Sequence, residues 1–104
     1  MTPDTMPDTP SLMSASIKVP QHVVYRSFPT ETVVLNLETG KYHGLNATAG
    51  KMLDALERAP SFGDALATIA DSYAQPEDVL EQDLRELCNV LHERGLIEID
   101  GERR

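Results

Sequence analysis

The chain has 104 residues and a formal net charge of −8, and 40% of its residues are hydrophobic, enough for one domain with a modest core but not for wholesale disorder. No apolar run reaches the roughly 18 residues of a spanning helix, and residues 1–16 lack the basic start and apolar stretch of a secretory signal. A single cysteine, Cys88, excludes an internal disulfide framework and suits a reducing cytoplasm, while the acidic balance argues against nucleic acid, whose binding rests on phosphate neutralisation.

Residues 1–16 (MTPDTMPDTPSLMSAS) carry Pro3, Pro7 and Pro10 among Thr, Ser and Asp, and echo Pro3-Asp4-Thr5 in Pro7-Asp8-Thr9. That composition reads as a disordered tail, with Met13 as an alternative start. From Ile17 the texture changes. His22–Phe28 and Glu31–Leu37 are rich in β-branched and aromatic residues and read as strands divided by Pro29-Thr30. In the second, Val33, Leu35 and Leu37 alternate with Val34 and Asn36. Glu38-Thr39-Gly40 supplies a turn, and Lys41–Leu45 reads as the returning strand of a hairpin.

At Asn46, a good N-cap, the period becomes helical, with Ala49, Met52, Leu53 and Leu56 on one stripe and Pro60 as the stop. Ser61 opens a second helix, with Asp64 in a capping-box position and a stripe of Phe62, Leu66, Ile69 and Tyr73. Pro76 suits the first position of a third helix, and the helix dipole favours Glu77 and Asp78 there. Leu80, Leu84, Leu87, Cys88 and Leu91 form its stripe, and Gly95 ends it. Leu96–Ile99 alternates again, as a last short strand or wing. The order predicts an α+β winged helix-turn-helix: a small three-stranded antiparallel sheet followed by three helices. Residues 17–100 form the domain and residues 101–104 a polar end.

Three function classes are open to a small acidic domain. DNA binding needs a basic recognition helix, but residues 76–94 set Glu77, Asp78, Glu81, Asp83, Glu86 and Glu93 against Arg85 and Arg94. A transcription regulator is thus a remote alternative. Catalysis lacks its parts. Cys88 and His92 share a helix face at i, i+4, but Cys88 lies inside the leucine stripe of a core. His22, His43 and His92 have no metal-ligand spacing, and the glycines form no phosphate loop. The expectation is no enzyme, no cofactor and no metal. The third class is a peptide-binding module. A short terminal strand at Lys41–Leu45 leaves one edge for an incoming strand, though the same residues equally well close a core.

Gly40-Lys41-Tyr42-His43-Gly44-Leu45-Asn46, with the helix carrying Ala49, Met52 and Leu53, resembles the PqqD-like family of recognition elements in ribosomally synthesised peptide pathways. So do Tyr73, Pro76-Glu77-Asp78-Val79, Asp83-Leu84 and Leu91-His92-Glu93-Arg94-Gly95-Leu96-Ile97. The resemblance implies that a precursor's leader segment adds as a strand in a groove facing the third helix. It implies as partners that leader peptide and a leader peptidase or other modifying enzyme, with no nucleic acid and no membrane. Residues 33–46 look most like the stand-alone leader-binding protein of lasso-peptide pathways. A chaperone for a radical enzyme in pyrroloquinoline quinone synthesis is the alternative. Carried over by position, the peptide-binding residues are Lys41, Tyr42, His43, Gly44 and Leu45 on the strand, with Val79, Asp83, Leu84, Leu87 and Leu91 on the helix. Leu84 and Leu87 are equally open to a core role, and Asp83 and Glu86 to pairing with a basic leader or to a solvated face.

Overall fold

The structure, a computed structural model, describes residues 9–100. In chain order it runs α1 (Thr9–Ser14), β1 (Ser16–Lys18), β2 (Val23–Ser27), β3 (Glu31–Asn36), β4 (Tyr42–Asn46), α2 (Ala47–Arg58), α3 (Phe62–Ser72), α4 (Glu77–Glu93) and β5 (Glu98–Asp100). The α+β class is as expected. A three-stranded antiparallel sheet, ordered β2-β3-β4, precedes α2, α3 and α4. The last strand does not extend that sheet. It pairs antiparallel with β1, which the sequence reading missed, setting Ile17 opposite Ile99.

The expectation of a disordered tail over residues 1–16 needs correction where the structure describes it. Thr9–Ser14 is helical, Leu12 and Ala15 are completely buried, and the Phe62 N–H donates to the Ala15 carbonyl at 2.8 Å. Local composition is polar there, but α3 supplies an apolar seat, and two small hydrophobic anchors suffice to dock the segment. Residues 1–8 of the expected tail and the polar end at 101–104 lie outside the described residues.

Helices α2 and α3 begin where their sequence signals place them. Asn46 Oδ1 accepts from the Ala49 N–H at 2.8 Å, and Ser61 Oγ accepts from the Asp64 N–H at 3.1 Å. Pro76 stands one residue earlier than expected, as the N-cap of α4 rather than its first helical residue. At the other end Gly95, at φ +73°, lets the Leu96 N–H reach the Leu91 carbonyl and its own N–H reach His92, a Schellman end. The sheet's inner face is Thr32, Val34 and Asn36 on β3, so Val33, Leu35 and Leu37 face outward. Gly50 lets α2 lie directly on this face, because a Cβ there would overlap Thr32 Oγ1 and sit 2.7 Å from Thr32 Cβ. Tyr25 ties the far strand to the same helix by donating its hydroxyl to Glu57 and Asp54. Burial, then the hydrogen bond to Glu57, raises that phenol well above its ordinary range.

Candidate functional site

The β3–β4 hairpin is fixed by its turn. Asn36 Oδ1 accepts from the N–H groups of Glu38 (2.9 Å) and Thr39 (3.3 Å), and Gly40 adopts φ +75°. The Asn36 N–H donates to the Lys41 carbonyl at 2.9 Å, which marks that pair as a hydrogen-bonded one. Antiparallel pairs alternate, so Val34–His43 and Thr32–Leu45 are the next bonded pairs. The N–H and C=O groups of Tyr42 and Gly44 therefore point the other way. Among the described residues β4 pairs only with β3, so these groups lie along an open edge.

At the Asn46 end of that strand lies a groove of about 320 Å³, lined by Asn46, Thr48, Ala49 and Met52 on one side and Asp83, Glu86, Leu87 and Val90 of α4 on the other. α4 shows it one face, while its opposite face closes the core. Leu80, Leu84, Cys88 and Leu91 are at most 2% exposed, whereas Val79 and Val90 are each 43% exposed. Burial pushes the Cys88 thiol up to about 12, against a smaller lowering by Arg85. Just past the end of α4, one helical turn beyond Val90, Arg94 Nη1 donates to His43 Nδ1 at 2.8 Å, joining helix to strand. A larger hollow, about 500 Å³, lies between α2 and α3 and shares no residue with β4 or α4.

The structure divides the sequence-predicted residues. Tyr42, His43, Gly44 and Leu45 lie on β4, with Tyr42 and Gly44 exposed and His43 and Leu45 half-buried. Lys41 is exposed and just precedes the strand. Asp83 and Leu87 line the groove, and Val79 lies a helical turn before Asp83 on the same face. Leu84 and Leu91 are corrected: they are 0% and 1% exposed, sealed among α3 and α4 core residues, and reach no surface ligand. Val90, Met52, Thr48 and Arg94 belong to the site geometry and were missed. The signal for Val90 was its i+3 spacing from Leu87; for Arg94 there was none, because its partner His43 is 51 residues away.

A model of the family described as "Coenzyme PQQ synthesis protein D (PqqD)" matches residues 31–97, more than half of the chain. The chain belongs to the PqqD family. The match runs from β3 to the end of α4 and so contains the open edge and the groove. TbiB1, solved in complex with the TbiA(beta) leader peptide, is 29% identical, with 84% of this chain and 99% of that one covered and a TM-score of 0.71. A lasso peptide synthetase B1 complexed with its leader peptide is 22% identical over 80% of this chain and 98% of that one, with a TM-score of 0.70, and shares the fold. No match was found among curated proteins.

Proposed function

We propose that this PqqD-family protein binds the leader segment of a ribosomally synthesised precursor, of the lasso-peptide kind, as a strand added to β4. It then presents the precursor to a leader peptidase or other modifying enzyme in the cytoplasm. The observation that carries this is the open edge at Tyr42 and Gly44 beside an apolar groove, in a chain of the same fold as the leader-bound TbiB1. Backbone hydrogen bonds to that edge would supply affinity, and side chains in the groove selectivity. On this reading the α+β fold works as a winged helix whose third helix meets a peptide in place of DNA, an acidic α4 surface being unsuited to phosphates. The protein is read as non-catalytic, consistent with a Cys88 thiol held protonated inside the core. The 29% identity to TbiB1, solved with a leader peptide, supports the leader-binding reading; delivery of a precursor to a radical enzyme of quinone cofactor synthesis is the alternative.

The test is Gly44→Pro. Proline removes the edge N–H and fixes φ near −65°, while the exposed position leaves the core untouched. Leader affinity in the folded variant is expected to fall at least tenfold, about 1.4 kcal/mol. Amide exchange across residues 42–46 is expected to slow when leader binds to the unaltered chain. Protection elsewhere, together with normal binding by Gly44→Pro, would sink the strand-addition reading.

A further inference from the structure

The groove carries opposite charges at its two ends. Asp83 and Glu86 stand at the end where β4 gives way to α2, beside Asn46, Thr48 and Ala49. Neither is held in a recorded ion pair among the described residues, where the pairs join Lys18 to Asp100, His22 to Glu38, Arg58 to Asp54 and Arg85 to Glu81. At the other end are Arg94, held on His43, and Lys41 next in sequence to β4. The fold forces this polarity. β4 enters α2 at Asn46 while α4 ends at Arg94 beside His43, so the two elements run in opposite directions along the groove.

We infer that Arg94 is a specificity-determining residue: it reads an acidic leader side chain and, with Asp83 and Glu86 reading a basic one, sets the leader's register and direction. This rests on the strand-addition reading above and adds to it which chemistry the leader carries. Arg94 is suited to the task because it is already placed. Its backbone is fixed in the Schellman end of α4, and its guanidinium is oriented by His43 at 2.8 Å. Less rotamer freedom then remains to be lost on binding, and the guanidinium keeps further donors for a carboxylate.

The spacing follows from element geometry. Glu86 and Arg94 are separated by roughly 12 Å along the helix at 1.5 Å per residue. A strand advances about 3.4 Å per residue, and only every second side chain faces the groove. The nearest even match is about four residues. A strand antiparallel to β4 runs from the Asn46 end towards Tyr42. Such a leader has Lys or Arg at position i and Asp or Glu at about i+4, with apolar side chains between them for Leu87, Val90 and Met52. Single exposed ion pairs contribute little, but reversing both poles turns two attractions into two repulsions, for which about tenfold is a reasonable scale.

The experiment is selection of a displayed random twelve-residue peptide library on the full chain, followed by affinity measurement on the winners. Enrichment of base-then-acid at the i, i+4 spacing is expected, with about a tenfold loss of affinity when the two charges are exchanged. Arg94→Glu is expected to select a base at the second position, Arg94→Gln to relax it, and both to keep wild-type melting because Arg94 is exposed. Winners that share apolar anchors and lose affinity in Gly44→Pro, but show no charge preference, would overturn this inference and leave strand addition standing. Winners indifferent to Gly44→Pro, or no enrichment at all, would overturn both.

Discussion

The two faces of α4 draw on the same apolar vocabulary and serve different ends. Leu80, Leu84, Cys88 and Leu91 are sealed against α3 and the rest of the core. Val79, Asp83, Glu86, Leu87, Val90 and Arg94 border water, the groove or the β4 edge. A helix turns about 100° per residue, so neighbouring positions such as Leu87 and Cys88 fall on either side of the boundary. Residue type does not tell the faces apart; the element packed against each one does. Substitutions on the two faces are therefore expected to separate stability from binding.

Leu84→Ala gives the largest expected effect. A fully buried leucine truncated in a rigid core costs about 2–5 kcal/mol, which in a domain this size lowers Tm by roughly 10 °C or more. Thermal melting followed by circular dichroism measures this. Peptide affinity below the melting range is expected to stay within about twofold. A variant that melts normally but binds poorly would place Leu84 in the groove and erase the contrast.

Leu12 belongs with the core face although it lies outside the family-like region. A chain begun at Ala15 loses a side chain that is 0% exposed, along with the rest of α1, and is expected to lose about 2–4 kcal/mol in urea denaturation. Peptide binding by its folded fraction is expected to be unchanged, because α1 packs chiefly on α3. An unaltered urea midpoint would return residues 9–14 to the status of a dispensable tail.

These cases show what was legible in the sequence. Helix boundaries were, because caps are local: Asn46, Ser61 and Gly95 each act within a few residues of themselves. The hairpin strands were legible to within a residue or so, for the same reason. Contacts between distant segments were not. The docking of Leu12, the β1–β5 pair and the Arg94–His43 hydrogen bond each join residues whose neighbours in sequence say nothing of the partner. Of the candidate site, the strand carrying residues 42–45 was legible from the hairpin, but which leucines of one stripe face the groove was not: Leu84, left open between core and groove, and Leu91 are both buried.

Leu87→Glu tests the groove face. Leu87 is only half-buried, so its replacement leaves the core closed, and Tm is expected to move by less than about 4 °C. A third carboxylate beside Asp83 and Glu86 would remove an apolar seat and repel an apolar anchor's surroundings, with an expected loss of peptide affinity of about thirtyfold, or 2 kcal/mol. Calorimetric titration with a selected peptide reads it. Unchanged affinity would mean that the peptide lies elsewhere than against α4.

The smallest effect sharpens the contrast from the core side, through pH. In the unfolded chain the Cys88 thiol ionises near its ordinary pKa of about 8.5–9. In the folded chain burial holds it up at about 12. Below about pH 8 both states keep the proton and the thiol adds no pH dependence. Above that, the unfolded state loses its proton while the native state retains it, so the native state binds more protons and stability falls as pH rises. The slope approaches about 1.4 kcal/mol per pH unit, giving a loss of roughly 1.5 kcal/mol between pH 8 and 10. Tyr25, also raised, adds the same sign only above about pH 10. Urea midpoints at pH 8 and 10 measure the fall. Cys88→Ala is expected to be less stable at both and to lose most of the difference between them. An equal fall in Cys88→Ala, or rapid alkylation of Cys88 in the native chain at pH 8, would show that this thiol meets water and that the inner face of α4 is open.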